Sequence, residues 1–584
     1  MNQMAKKLMR KMDLFVVAGG IAWMLCLPRG LPAQDLATLG QQKPLTLTGG
    51  LSVRTVFYQA HGIEARRKPF SYVVSGAPVL SVYGWSIPVS FVFSEQERSF
   101  RQPFNQFGMS PTYKWLTFHA GYRNLQFSPY TLAGHTILGG GVEATPGILR
   151  FGFVYGRLQR ATAVDTTSGS LEPFAYTRRG YALKLGIGKG GRSLDFSLMK
   201  GKDDSTSVEH APLMSYALNQ RPVTPAENTV FGVSVRLPFL RTFFWEADGG
   251  LSFYTRHLGS SVALDSAETL LPSLLTHTLG RLMHINGTSE FYSAYQTSVG
   301  YRGKGFSLRV QYRRVDPGYQ SMGAYFFNND VENLTLAPSF VMLKQRVRFS
   351  GSVGVQRDNL QQQKQATSRR VIGAANLSAD ITEQLGLDIN FTNFSTNQRA
   401  RTILIADSFL LAQTTRNLSI TPRYIVTHET TSHALMLSYN RTSLLDQNPR
   451  SEADNTLQSS NAFLNYQLTF VQRGLSLSAN LNRTQLKRAA GVDGNRGVTL
   501  NASQRLADNR LSVGVNASFL RSLQQNQPGK ILNQGVRLDW QAHPMHRFNA
   551  LVNLIGNYPD APTAESYNRR YTEFRGELGY HFSF

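Results

Sequence analysis

The densest cluster of groups that could hold a cation or form a catalytic dyad is Asp203, Asp204, Glu209 and His210. Its donors are of the right kind, but it has neither ligand spacing nor an adjacent nucleophile, so it reads as a solvated loop. The twelve histidines include no H-x-x-x-H or H-x-x-E-H arrangement that would place two imidazoles on one helical face for zinc. His543 and His546 are three apart, flank an expected turn, and have no further ligand nearby. No Walker-type glycine loop is present. Gly139, Gly140 and Gly141 lie inside an expected strand, where glycine permits bending or close backbone approach. The pattern therefore points to no catalytic residue, no cofactor site and no metal site. What remains is charge: Arg150, Lys184, Arg309, Arg313, Arg348, Arg537 and Arg575 recur on one alternate set of residues. Basic rings favour anions where a pore narrows. Glu246, Asp248, Asp388, Asp539, Glu573 and Glu577 share that set, so a mixed polar wall is the competing reading.

Such a set needs strands to carry it. From about residue 135 onward one unit recurs: an alternating run, a very short turn, a second run and a longer polar loop. Phe306, Leu308, Val310 and Tyr312 alternate with Ser307, Arg309, Gln311 and Arg313; Leu511, Val513, Val515 and Ala517 alternate with Ser512, Gly514, Asn516 and Ser518. Side chains alternate across a strand, so the apolar set faces lipid and the polar set a lumen. Short turns such as 188–192, 303–305, 344–346, 507–509 and 543–545 are expected on the periplasmic side. Long loops such as 203–228, 256–289, 316–332 and 442–459 are expected outside. Trp245, Tyr254, Tyr301, Tyr439 and Trp540 suit interfacial girdles. Asp265 to Leu279 has the cap and spacing of a short helix in an outer loop, with Pro272 near its start.

Both ends of the chain point to export. Lys6, Lys7, Arg10 and Lys11 precede the apolar run Leu14 to Leu27 and then Leu31-Pro32-Ala33, the layout of a signal peptide over residues 1–33. The only cysteine, Cys26, would leave with it. Residues 34–44 are expected to be a short periplasmic segment before a barrel spanning 45–584. In the last segment Phe574, Leu578, Tyr580, Phe582 and Phe584 share one face, and Glu573, Arg575, Glu577 and His581 the other. This segment resembles the C-terminal strand of bacterial outer-membrane β-barrels, which closes the sheet and is read by the barrel-assembly machinery. The formal charge is +24, from 61 basic and 37 acidic side chains. Residues 1–33 hold five of the basic and one of the acidic residues, leaving about +20 on the rest. Nucleic acid is an unsuitable partner for an exported barrel. Outer-membrane lipid and lipopolysaccharide, or an anionic polysaccharide, suit the charge better.

The fold class expected is all-β, a single antiparallel transmembrane barrel of about 24 strands, within a range of 22 to 26. Counting runs yields about 25, an odd number, and the alternation of short and long connections breaks between Val92 and His135. Removing Tyr113 to Gly121 from the wall restores parity. Residues 97–130 are therefore expected to fold inward or across the mouth, with Tyr113, Lys114, Trp115, His119, Tyr122 and Arg123 as the candidate constriction.

The segments FNQFGMSPTYKW, GYRNLQFSPYTLAGH and DPGYQSMGAYFFNNDVEN resemble pieces of large outer-membrane barrels of Bacteroidota, many without an assigned function. That resemblance implies the architecture and transfers no ligand or catalytic residue. TonB-dependent receptors resemble the chain in size and strand number but carry a plug domain before the barrel. Strand pattern here starts near Leu45, which disfavours energy-coupled uptake. The function expected is a non-enzymatic, porin-like channel for small polar or anionic solutes. The alternative is a structural or export barrel docking a surface protein or polysaccharide.

Overall fold

The computed structural model describes residues 45–95, 106–162, 175–208, 224–262, 280–324, 329–363, 366–400, 412–446, 456–489, 491–524, 527–562 and 569–584. The segments 1–33 and 34–44, the helix expected over 265–279, and Glu209 and His210 lie outside them. Among the described residues no helix is long and apolar enough to cross a membrane. The crossing elements are strands.

Alternation is what makes these segments strands, and backbone hydrogen bonding is what closes them. Every pairing between named strands is antiparallel, each strand bonding its neighbours in the sequence, and Gly50–His61 pairs with Tyr571–Ser583 from Gly50↔Ser583 to His61↔Thr572. That last ladder leaves the sheet no edge, which is the condition for a sheet to exist in lipid. The wall is a closed barrel of 26 strands. It is assembled from 29 hydrogen-bonded segments, because three wall strands are interrupted. The interrupted pairs are Leu45–Thr48 with Gly50–His61, Phe70–Gly76 with Val79–Val82, and Gln106–Met109 with Thr112–Tyr113.

The outward set carries the large apolar side chains. Tyr155, Leu185, Phe196, Leu251, Val310, Leu500, Val515, Val536 and Leu578 are all exposed. Such a surface on a closed barrel is a lipid-facing belt, and the molecule is built as outer-membrane barrels are built. On the closing strand Glu573 and Glu577 are buried while Leu578 is open, as the alternation of Phe574, Leu578, Tyr580, Phe582 and Phe584 requires.

The expected inward segment is corrected by the ladder. Leu116–Asn124 pairs along its length with Thr136–Ala144, from Leu116↔Ala144 to Asn124↔Thr136, so Tyr113 to Gly121 belongs to the wall. The strand missing from the sequence count is the broken one before it, Gln106–Met109 with Thr112–Tyr113, which joins Trp85–Ser94 to Leu116–Asn124. Ser110-Pro111 interrupts its alternation, and proline cannot donate to a ladder. Adding this strand, rather than removing one, restores even parity. Of the range 97–130, residues 97–105 lie outside the described residues, and only the stretch from Leu125 leaves the wall.

Candidate functional site

Two outer connections turn into the barrel and dock on each other: Leu125–His135 after the strand Leu116–Asn124, and Asp316–Ala324 after the strand Phe306–Val315. Both bury large apolar or aromatic side chains where outer loops are ordinarily polar. Tyr130, Leu132 and Tyr319 are fully buried, and Leu125, Phe127 and Met322 nearly so, in one cluster with Val154, Met199, Val230 and Val315 from the wall. The Tyr130 and Tyr319 rings meet edge to face at 6.0 Å. The Tyr319 hydroxyl donates to the Tyr130 carbonyl at 2.6 Å, and the Ser321 hydroxyl donates to the Thr131 carbonyl at 2.5 Å. The Ala133 amide donates to the Gly323 carbonyl at 3.0 Å. The buried carbonyls of Tyr130, Thr131 and Gly323 thus find their donors across the loop pair.

The wall is shaped to accept them. The Asn228 side chain accepts from the Met322 amide at 2.9 Å, Ser252 donates to the Gln320 carbonyl at 2.6 Å, and Thr131 donates to Ser197 at 3.1 Å. Paired glycines on adjacent strands, Gly232↔Gly250, make the hollow. A Cβ on Gly250 would stand 2.7 Å from Tyr130 Cβ and against the Tyr319 hydroxyl, and one on Gly232 would stand 2.6 Å from Thr131 Cγ2. Gly250→Leu should therefore expel the loop pair while leaving the strand ladder intact. Limited proteolysis of whole cells should then cut within Leu125–Ala133, where the unaltered protein is resistant.

Between the docked loops and the outer ends of the wall strands is a cavity of about 270 Å³ lined by His135, Arg178, Tyr254, Tyr319, Gln320 and Asn329, among others. Tyr254 faces this cavity rather than the lipid, which corrects its expected place in an aromatic girdle. Asn329 donates to the Tyr319 carbonyl at 2.6 Å, and its side-chain oxygen has no hydrogen-bond partner among the described residues.

The residues expected to narrow the lumen sit elsewhere. Tyr113, Lys114 and Trp115 form a tight turn, with Tyr113 stacked on Trp85 at 5.2 Å and Lys114 over the Tyr113 ring. Tyr122 packs edge-on against Phe107 on the lipid face. His119 does point inward, between Ser110 and Glu143, and Arg123 is tied to the Met109 carbonyl at 3.1 Å and to Ser90. It is Leu125–His135, not these six, that leaves the wall and packs inside it.

The seven basic side chains alternate with the exposed apolar set, and six of them are matched by carboxylates. Arg150 pairs with Asp195 at 2.8 Å, Arg309 with Glu246 at 2.7 Å, Arg537 with Asp539 at 2.6 Å and Lys184 with Glu143 at 3.4 Å. Arg348 lies 3.9 Å from Asp380, and Arg575 pairs with Glu577. Arg313 interacts with the Tyr130 hydroxyl on the docked loop. Pairs absent from the sequence expectation follow the same rule, among them Arg236 with Asp248 at 2.9 Å, and Arg423 with Asp388 and Asp380. Of the polar cluster in the sequence, Asp203 binds Arg178 at 2.7 Å, and Asp204 accepts from Thr206 to hold its own turn. His546 stacks on Tyr580 and shares a 2.9 Å hydrogen bond with its hydroxyl, while His543 accepts from the Met545 amide in the turn.

On the strands from Ala366–Asp380 to Leu475–Arg488, neutral polar rows run between such charged pairs. Residues directly opposite one another run Asn376–Asn390–Ser419–Asn440–Asn461–Thr484 across successive strands. A second row runs Asn465–Asn480–Thr499–Ser518–Asn533, with Thr499 and Ser518 hydrogen-bonded at 2.9 Å. These rows escaped the sequence reading because asparagine is common in polar strand positions. Only the register shows that they align.

No protein family model matches the chain, and no curated protein matches it. Among solved structures, the FrpB iron transporter from Neisseria meningitidis (F3-3 variant) is 12% identical, with 95% of this chain and 83% of that chain covered and a TM-score of 0.38. BauA, the ferric preacinetobactin receptor from Acinetobacter baumannii, is 10% identical over 92% of this chain and 81% of that one, with a TM-score of 0.36. The outer membrane protein opdK from Pseudomonas aeruginosa is 10% identical over 92% of this chain and 99% of that one, at 0.27. Likenesses this distant say nothing of solute or partner.

Proposed function

We propose that the chain is a hydrophilic channel of the outer membrane that passes small polar solutes. Its lumen is divided by chemistry. The arc bearing Asn376–Asn390–Ser419–Asn440–Asn461–Thr484 offers amides and hydroxyls to a passing solute. The opposite arc carries the docked loops Leu125–His135 and Asp316–Ala324, which act as the constriction. The observation that carries this reading is the polar row facing the lumen along strands whose outer face is apolar.

The matched cations argue for weak charge preference, against the anion preference their number suggests. A guanidinium held at 2.7 to 2.8 Å by a carboxylate, as at Arg309 and Arg150, adds little net field to the pore. In planar bilayers the purified full-length protein should give discrete conductance steps, with a reversal potential near zero across a potassium chloride gradient. Silence from folded protein, confirmed by its heat-modifiable migration, would overturn the channel. A reversal potential close to the chloride limit would restore anion preference.

A further inference from the structure

The excess positive charge has to be somewhere, and the lumen pairs do not hold it. On the lipid side of four successive strands, Leu475–Arg488, Gly491–Leu506, Leu511–Gln524 and Gln527–His543, four cations stand directly opposite one another. The register runs Arg483↔Arg496, Arg496↔Arg521 and Arg521↔Lys530. All four side chains are exposed. Among the described residues none has an ion-pair or hydrogen-bond partner, and the outward set of these four strands contains no aspartate or glutamate. Like charges opposite one another on a sheet, with Cβ atoms about 5 Å apart, destabilise it unless something neutralises them.

Their height identifies the neutralising group. The next outward row below is Leu481–Val498–Phe519–Leu532, then come Leu500, Val515 and Val536, and the series ends at Leu511 and Trp540. From Leu511 up to Arg521 the strand climbs about 33 Å, or about 25 Å along the barrel axis at a tilt of ~40°. That is the height of a lipid-facing belt, so the cation row sits at its outer edge, where lipid headgroups begin. Beyond Leu457–Phe470, which carries no cation, Arg441 and Arg416 are also exposed and outward, out of register with the row.

We propose that this row is a binding site for the phosphate-bearing headgroup of an outer-leaflet glycolipid, with the acyl chains lying on the apolar rows beneath. Arginine suits the task, because its fork of donors meets two phosphate oxygens at once. A free anion would satisfy the charge but would leave the Leu481–Val498–Phe519–Leu532 row without a function in binding. The lipid satisfies both. The site is independent of what the lumen passes.

The test uses the full-length protein folded in detergent and a fluorescent diphosphoryl lipid A as probe, with monophosphoryl lipid A and inorganic phosphate as competitors. Replacing Arg483, Arg496, Arg521 and Lys530 together by glutamine should weaken probe binding about tenfold or more. Replacing the three arginines by lysine should retain most of it. Should the fourfold variant not fold, the pair Arg496→Gln and Arg521→Gln carries the same expectation with a smaller loss. A matched variant at the exposed short-turn cations Lys344, Arg346, Arg473 and Arg510 should bind as the unaltered protein does. Equal loss in that control would overturn the site, as would displacement of the probe by inorganic phosphate at the concentration at which monophosphoryl lipid competes.

Discussion

Replacing Tyr319 by alanine together with Ser321 by alanine is expected to raise single-channel conductance about twofold or more, because the two docked loops, proposed to narrow the lumen, would lose their hold on each other. Tyr319 has no exposed surface, packs its ring against Tyr130, and donates to the Tyr130 carbonyl. Truncating a buried aromatic of this kind costs about 3 to 5 kcal/mol, and each of the two lost hydrogen bonds about 1 kcal/mol. That loss falls on the docking of Leu125–His135 against Asp316–Ala324, not on the wall ladder, whose bonds are all between backbone groups. Tyr319→Phe separates the two contributions, since it keeps the ring contact and loses only the donor. It should leave conductance near that of the unaltered protein. If the alanine variant folds and conducts as before, these loops are not the constriction.

Neutralising the carboxylates that match the lumen cations should turn a weakly selective pore toward anions. In a variant with Asp195→Asn, Glu246→Gln and Asp248→Asn, the cations Arg150, Arg309 and Arg236 would face the lumen without counter-charge. A single unmatched charge about 8 Å from a permeating ion in water contributes about 0.5 kcal/mol, or about twofold in local concentration. Three such charges, each three strands from the next, act together at low salt and fade once the screening length falls to about 8 Å near physiological ionic strength. The measurement is the reversal potential across a potassium chloride gradient at low and high mean concentration. A shift toward the chloride limit at low salt that shrinks at high salt is expected. An unchanged potential would mean that permeating ions do not pass near these pairs.

The two expectations rest on different parts of the molecule, and they were legible to different degrees. The lumen cations Arg150, Lys184, Arg309, Arg313, Arg348, Arg537 and Arg575 could be assigned to the inner face from alternation alone. Partners on other strands could not, because Asp195 lies on the second strand from Arg150 and Glu246 on the second strand from Arg309, contacts that exist only once neighbouring strands are in register; Asp539 and Glu577, two residues along the same strand from Arg537 and Arg575, are the readable exceptions. The docked loops left a readable trace: Leu125, Phe127, Tyr130, Leu132, Tyr319 and Met322 are apolar in places where an outer loop should be polar. That composition, rather than strand parity, is the signal that would have located the docked loops. Parity misled because proline at 111 hid one strand, and the odd count was then repaired by removing a real one.

Alternation along each run determined that the chain forms a barrel with a wet and a greasy face, because the side-chain period of a strand is a property of the backbone and needs no partner. The terminal strand Tyr571 to Phe584 likewise declared its two faces by itself. Tertiary structure alone decided which strands are neighbours and in what register. Closure, the count of 26, the matched lumen charges and the row Arg483–Arg496–Arg521–Lys530 all follow from that register. The physical reason is that register is set by hydrogen bonds between segments, and shifting it by one residue would turn every side chain to the other face.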